Sequence, residues 1–403
     1  MSRVWRTWSV LVLFALGTSL ITPLIPLYQD RLGFSDTVVT LFLGCYVVAL
    51  VPSMLTLGQV SDRIGRRAVL LGAIATLAVA QLLLITEPDL EGLLIARGIQ
   101  GLAAGAFCGT CTAFLVDAAP LGRMGFIAVL GSVSVRTGLG FGPGIGGLIA
   151  QYSDTPLRLP FELHLVALAA AAVLIVTLPE TVRVLSRRPL TLRLEVPAAE
   201  RAVFWRVLVP SGALFSLFDG VALSLIPVFL VRTLGVDNYA LVGAAGFLVL
   251  VSGAASQLVL PHLAPAPAIG WGLAAASVAS IGVVVSSPVE SVTLALCSVA
   301  ATGAAAGLVF KGGLDLCTQI APVQDRGKLV SSYYVACYLG GFSVPLLVIG
   351  VLSDLIGLTA ALACLSALAA IGAAWTWAVG LRALSGLVPA PTPPAPLPHP
   401  GAE

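Results

Sequence analysis

Twelve windows of about 20 mostly apolar residues run along this chain, parted by short breaks of Pro, Gly and charge. A hydrocarbon layer about 30 Å thick takes roughly 20 residues of helix to cross, and only a helix or a closed barrel satisfies every backbone group without water. The windows fall at 8–29, 36–59, 68–87, 91–116, 123–150 and 160–178, and then at 204–231, 237–259, 268–286, 290–315, 328–351 and 358–384. Barrel strands would be half as long and would alternate in polarity, which these windows do not. With 58% hydrophobic and 10% charged residues and a mean hydropathy of +1.02, the chain has too little polar surface for a soluble protein of 403 residues. The expected fold class is all-α integral membrane, with twelve transmembrane helices.

The N-terminal "MSRVWRTWSVLVLFALG" has the basic start and apolar run of a secretory leader. Its apolar run exceeds the usual leader core and no A-x-A-like site follows, so the first span is expected to be retained. Orientation follows from the basic residues, which favour the cytoplasmic side. With the N-terminus inside, fifteen Lys and Arg, among them Arg63, Arg66, Arg67, Arg123, Arg187, Arg326 and Lys328, lie in the cytoplasm, and only Arg31, Arg158 and Arg232 lie outside. The expectation is a multi-pass protein of the inner (plasma) membrane with both termini cytoplasmic. The basic residues flank spans and no aromatic-basic patch accompanies them, so nucleic acid is not an expected partner.

Catalytic chemistry finds little footing. "CGTC" at Cys108 and Cys111 has a redox or metal spacing, yet no His or further Cys stands near it, and His164, His262 and His399 form no cluster. No paired His, Cys or acid constellation lies within the spans, so an enzyme is not expected, and neither a metal nor a cofactor is. A G-x-x-x-x-G-K-[ST] phosphate loop is absent, which removes ATP as the direct energy source.

The chain also repeats itself. A shift of 202 residues superposes Gly33 on Gly235, Gly44 on Gly246, Gly101 on Gly303, Gly105 on Gly307, Gly138 on Gly340 and Pro143 on Pro345, and lays Ala119 and Pro120 on Ala321 and Pro322. One constant offset implies two parallel halves related by an axis along the membrane normal, with substrate held between them near mid-membrane. The expected organisation is a six-helix bundle at 1–180, a cytoplasmic linker at 181–203, a second bundle at 204–386 and a disordered Pro-rich tail at 387–403.

Three motifs resemble the major facilitator superfamily of secondary transporters. "GQVSDRIGRR" between spans two and three is similar to its G-x-x-x-D-R-x-G-R-R loop at Gly58, Asp62, Arg63, Gly65, Arg66 and Arg67. "RGIQGLAAG" in span four is similar to its R-x-x-Q-G element at Arg97, Gln100 and Gly101. "GLGFGPGIGG" in span five resembles the signature of the drug and proton antiporter branch at Gly138, Gly142, Pro143, Gly146 and Gly147, and span six ends in "LPET", as is common there. The resemblance implies a proton-driven exporter working by alternating access, and a span-five surface that seals one side of the pathway.

The residues carry their own physics. Gly58 and Gly65 are expected to permit a tight turn between antiparallel helices, with Asp62 placed to accept bonds from arginine or helix-end amides as a conformational latch. In the second half Leu260 and Ala264 stand opposite Gly58 and Asp62, so such a latch is one-sided. Gly138, Gly142 and Gly146 make one flat stripe for a close neighbour, and Pro143 bends the helix. Arg97, Arg136, Asp219 and Lys311 are ionisable residues within spans, costing roughly 2.5–3.5 kcal/mol each near a helix centre, and are the proton-coupling candidates. Asp219, opposite Gly17 in the repeat, leads as the only acid well inside a span; it can bind a proton or pair with Lys311 or an arginine. Asp117 and Asp315, near cytoplasmic span ends, suit solvated or capping roles better.

Tyr28, Tyr46, Phe215, Phe218, Tyr334 and Tyr338, with Gln100, are the candidate lining of a pocket for an apolar or cationic compound. The expected partners are that small molecule, protons and the bilayer, and the chain is expected to act as a monomer. An importer or uniporter of a sugar or metabolite on the same fold is the alternative reading.

Overall fold

A computed structural model describes residues 2–117, 124–182, 194, 196–322 and 325–380. Their regular structure is helical throughout. The spanning elements are α1 (Val4–Leu32), α2 (Asp36–Ile64), α3 (Arg66–Ile85), α4 (Leu90–Asp117), α5 (Met124–Tyr152), α6 (Leu159–Thr177), α7 (Arg201–Thr233), α8 (Tyr239–Val259), α9 (Pro265–Ser286), α10 (Val292–Ile320), α11 (Arg326–Ile356) and α12 (Leu358–Val379). Among the described residues eleven helices are long and apolar enough to cross a bilayer, and α5, at 29 residues, completes twelve. An even number of crossings returns the chain to the face it started from. That face is called the terminal face below, and its opposite the distal face.

The two halves pack in the same order. In the first, α2 pairs with α4, α3 with α4 and α6, and α1 with α5; in the second, α8 pairs with α10, α9 with α10 and α12, and α7 with α11. Adding six to each member of the first set gives the second. The seams between halves obey the same rule, α5 lying on α8 and α11 on α2. Backbone detail repeats too: Gly33 and Gly235 end α1 and α7 with φ of +71° and +63°, a left-handed turn that glycine adopts without strain. The fold is therefore two pseudo-symmetric six-helix bundles.

Close helix contact explains the glycines of α4 and α10. A Cβ built on Gly101 would lie 2.0 Å from the carbonyl oxygen of Tyr46 on α2, and one on Gly303 would lie 2.1 Å from that of Val249 on α8. Backbone touches backbone at both places. In a membrane, where lipid tails are as apolar as leucine, such contact is a main source of helix association.

Prolines leave different marks. α5 runs unbroken through Pro143, while α11, carrying Pro345 at the equivalent position, divides at Phe342 and Ser343 into Arg326–Gly341 and Val344–Ile356. The second span also exceeds its expected end at residue 59 and continues as helix to Ile64. Much of the expected linker at 181–203, with Arg187 inside it, lies outside the described residues, as do Arg123 and the whole tail at 387–403; α7 already begins at Arg201.

Candidate functional site

The span-five motif presents two stripes of glycine. Gly138, Gly142 and Gly146 face α1, where added Cβ atoms would meet Ala15, Ser19 and the Leu20 carbonyl. Gly140, Gly144 and Gly147 face α8 of the other half, meeting Val251, Phe247 and the Tyr239 carbonyl. One helix thus holds its own bundle on one side and closes a seam between halves on the other. Pro143 takes away the amide that the Leu139 carbonyl would accept from, and the Ser19 hydroxyl donates to that carbonyl at 2.6 Å. Gly142 leaves the room for Ser19, since a Cβ there would sit 2.2 Å from its oxygen. Pro143 itself packs on Gly243 and Gly246 of α8.

Two turns toward the terminal face, Arg136 meets Asp219. Nη1 lies 3.1 Å from Oδ2 and Nη2 donates to Oδ1 at 3.3 Å, with side-chain exposures of 7% and 6%. Arg136 belongs to α5 and Asp219 to α7, so the pair joins the halves at mid-depth. Gly253 of α8 makes space for the guanidinium, and Phe215 lies beneath it at 5.3 Å. Arg136 Nε is buried with no hydrogen-bond partner. Of the partners considered for Asp219, the structure gives an arginine and not Lys311, which is held by Asp315 at 2.6 Å and donates to the Leu263 carbonyl in the α8–α9 connection.

Arg97 is buried at 6% exposure and lies within one half. It donates to the carbonyls of Thr18 (2.9 Å) and Phe42 (3.3 Å) and to Gln100 Oε1 (2.7 Å), and stacks over Tyr46 at 4.9 Å. Gln100, expected in a pocket wall, is fully buried and positions Arg97 instead. Tyr28, at 1% exposure, is a core ring near Glu87 and Arg31 at the distal end, away from the central pair.

The other rings form a ladder. Phe215 stacks on Phe310 at 4.8 Å, Phe310 meets Tyr334 edge-on at 5.8 Å, and Tyr334 leads to Tyr338 at 6.3 Å. Tyr334 and Tyr338 are half-buried, as is Tyr46, which lies within electrostatic reach of Tyr338 from the other half. Phe218 turns away from this ladder into a small apolar cavity of about 30 Å³ inside the second bundle, with Val221, Ile226, Val249, Thr302 and Leu365. Phe310, beside Lys311 on α10, joins Phe215 to Tyr334 and was not among the expected lining residues.

The loop motif departs from expectation. Gly58 is not a turn residue; it sits within α2 and lies 3.8 Å from where a Cβ on Gly109 of α4 would be. Gly65 alone makes the turn, at φ +97°. Asp62 pairs with Arg66 at 3.6 Å, Arg66 pairs with Asp117 at 3.1 Å, and Arg67 donates to the Val176 carbonyl at 2.8 Å; Arg63 stands in the last turn of α2. Asp117 and Asp315 are thus ion-paired rather than simply solvated. The helix-end amides offered to Asp62 go elsewhere: Glu180 of "LPET" accepts from the Arg66 and Arg67 amides at 3.1 and 3.0 Å.

Burial pushes the Glu180 carboxyl up, but bonds from the amides of Val182, Arg67, Arg66 and Thr181 outweigh it and hold it below the usual 4.5. A depressed carboxyl contributes stability above the unfolded value and loses it as pH falls through the folded one. Glu180→Gln is therefore expected to lower the thermal midpoint at neutral pH, with the gap to wild type closing as the pH falls below the ordinary carboxylate range. A gap unchanged with pH, in scans of the detergent-solubilised protein, would contradict this account.

Two related six-helix halves, glycine seams between them and an ion pair bridging them at mid-depth define the two-bundle architecture of major facilitator proteins. The chain belongs to that family: residues 7–345 match the family model described as Major Facilitator Superfamily. It is 30% identical over 169 residues to multidrug resistance protein 1 of Bacillus subtilis (strain 168), covering 42% of this chain and 43% of that one. It is 26% identical over 153 residues to the quinolone resistance protein NorA of Staphylococcus aureus (strain MRSA252), covering 37% and 38%. The matches thus span less than half the length of these relatives. Among solved structures, a bacterial homologue of the human lysosomal transporter Spinster, inward-facing and unoccupied, superposes with a TM-score of 0.72 at 15% identity, covering 95% of this chain and 97% of that one. The D-xylose–proton symporter superposes at 0.74 with 16% identity, covering 93% and 97%. These structures share the fold.

Proposed function

We propose that the protein is a secondary active transporter, a proton-coupled antiporter that exports a small, mainly apolar or cationic compound by alternating access. The Arg136–Asp219 pair carries this reading. Asp219 is buried at mid-depth on one half and balanced by a guanidinium from the other. Its carboxylate can hold Arg136, a proton or a cationic group, and each excludes the rest; such mutual exclusion at one site is the physical basis of exchange. Release of Arg136 also removes a tie between the halves, which links ligand exchange to their relative motion. The half-buried rings of Tyr46, Tyr334 and Tyr338 offer apolar faces to the compound, and the similarity to multidrug resistance protein 1 and NorA supports a drug-like one.

The proton gradient supplies the energy, ATP takes no part, and the working unit is a monomer. The basic residues put the terminal face in the cytoplasm of a plasma membrane. The α5–α8 seam holds the distal side closed, which is the side that must open for export in this reading.

The test is purified protein in liposomes under an imposed pH gradient, with ethidium as the probe. Wild-type flux should rise with the gradient, and Asp219→Asn should keep downhill flux but lose the response. Wild-type flux indifferent to the gradient would remove antiport, and a mutant that still responds would remove Asp219 as the carrier.

A further inference from the structure

The distal ends of α2 and α11 meet across the halves in a way the motifs do not announce. Ser35 precedes α2 in extended conformation, yet its side chain caps nothing. The first amides of that helix are capped instead by the opposite half: Asp354 near the end of α11 accepts from the Asp36 amide at 2.9 Å and the Thr37 amide at 3.0 Å, and also from the Thr37 hydroxyl. Its neighbour Ser353 donates to the Asp36 carboxylate, which also receives Gln29 at 2.8 Å. Arg232, at the end of α7, lies 3.4 Å from Asp30 and 3.8 Å from Asp36.

The repeat has a matching joint. Ser353 corresponds to Gln151 and Thr37 to Tyr239 under the 202-residue shift, and Gln151 Oε1 accepts the Tyr239 amide at 2.7 Å. Both seams are closed at the distal face by the end of one half's helix capping the start of a helix in the other. They differ in charge. α8 also has its own cap in Asn238, whereas the α2 amides rely on a carboxylate, the stronger acceptor and the one favoured by the helix dipole. The loop motif at the terminal face makes no such bridge in the contacts described above, since Asp62, Arg66, Asp117 and Glu180 all belong to the first half.

We propose that Asp354 is the distal-side latch: a positioning residue whose charged cap on α2 sets how often the distal side opens, with Gln151 as its weaker, neutral counterpart. The proposal rests on the alternating-access reading but not on proton coupling. Asp354 is exposed, so its loss leaves no buried cavity, and its effect falls on the balance between conformations rather than on folding. The latch must break in each cycle, so it retards opening while it holds the resting state closed.

Spin labels at Thr86→Cys and Val289→Cys, exposed positions at the distal ends of α3 and α9, report the separation of the halves in a background with the seven native cysteines replaced. Pulsed dipolar distances on the full chain in lipid nanodiscs should show Asp354→Asn raising the ratio of wide to narrow separations roughly tenfold, the effect of making a charged acceptor of two amides neutral. Gln151→Ala should raise it less. Asp154→Asn, which removes another distal-face charge, should leave it unchanged, and the thermal midpoint of Asp354→Asn should stay near that of wild type. Distances unmoved in both Asp354→Asn and Asp354→Ala would overturn the latch, and so would an equal shift in Asp154→Asn. The labels need no pH gradient: a shift in Asp354→Asn beside flux that ignores the gradient would keep the latch and discard antiport.

Discussion

Gly101→Ala is expected to cost about 2–3 kcal/mol of stability, while Gly98→Ala three residues earlier on the same helix should be neutral or stabilising by up to about 1 kcal/mol. The added methyl group is the same in both. At Gly101 it would lie 2.0 Å from the Tyr46 carbonyl oxygen, a backbone atom that moves only if α2 moves with it. At Gly98 nothing stands within 4 Å, and alanine simply gains in helix propensity. Gly303→Ala should repeat the Gly101 result in the second half, where the Val249 carbonyl waits at 2.1 Å. Reversible unfolding in mixed detergent micelles measures all three. Equal effects at Gly98 and Gly101 would mean that helix contact does not decide the glycine positions.

The second large effect lies at the central pair. Removing one member of a buried ion pair strands the other, at a cost of about 3–5 kcal/mol, whereas replacing both by apolar side chains of similar size is often nearly neutral. Asp219→Leu should be the worse single change, because the guanidinium it leaves cannot shed its charge. Arg136→Met leaves a carboxyl that can take up a proton and become neutral, so it should cost less. The double variant should recover to within about 1 kcal/mol of wild type, and a thermodynamic cycle over the four proteins should give a coupling of at least about 2 kcal/mol. Additive single costs would show that the two groups act separately. The same double variant should show no proton-driven transport despite its recovered fold, which separates the role in coupling from the role in stability.

The architecture was legible because bilayer thickness dictates span length and the 202-residue offset is carried by residues whose smallness the packing needs. Gly101 and Gly303 are visible as a pair for the same reason that they pack as a pair. Ion-pair partners were harder. Asp219 is 83 residues from Arg136, and nothing in either local sequence marks the other; only the seam of α5 on α8 beside α7 brings them together. Lys311 and Asp315 stood four apart on one helix and could have been read as partners, which would have withdrawn Lys311 from the centre at once.

Elsewhere a motif hid its mechanics. The loop signature suggested a turn at Gly58, but a glycine inside an apolar helix can serve contact rather than bending, and α2 continues past it to Ile64. Glu180 and Asp354 are not marked by their sequence, for a shared reason. Both lie at span ends, where acids are common, and both act on backbone amides of distant helices, a kind of partner that leaves no residue-type signal.

The repeat also fixes what each half lacks. Under the shift, Gly17 occupies the place of Asp219 and Tyr338 that of Arg136, while His164 fills the notch at Gly17 and donates from Nε2 to the Leu13 carbonyl at 2.9 Å. The halves are therefore not interchangeable parts. A tandem of two copies of the first would reproduce the scaffold yet set two guanidiniums against glycine with no acid between them, and a tandem of two copies of the second would bury two carboxylates facing tyrosine. Asymmetry written on a symmetric frame is what lets one molecule carry a single chargeable centre instead of two or none.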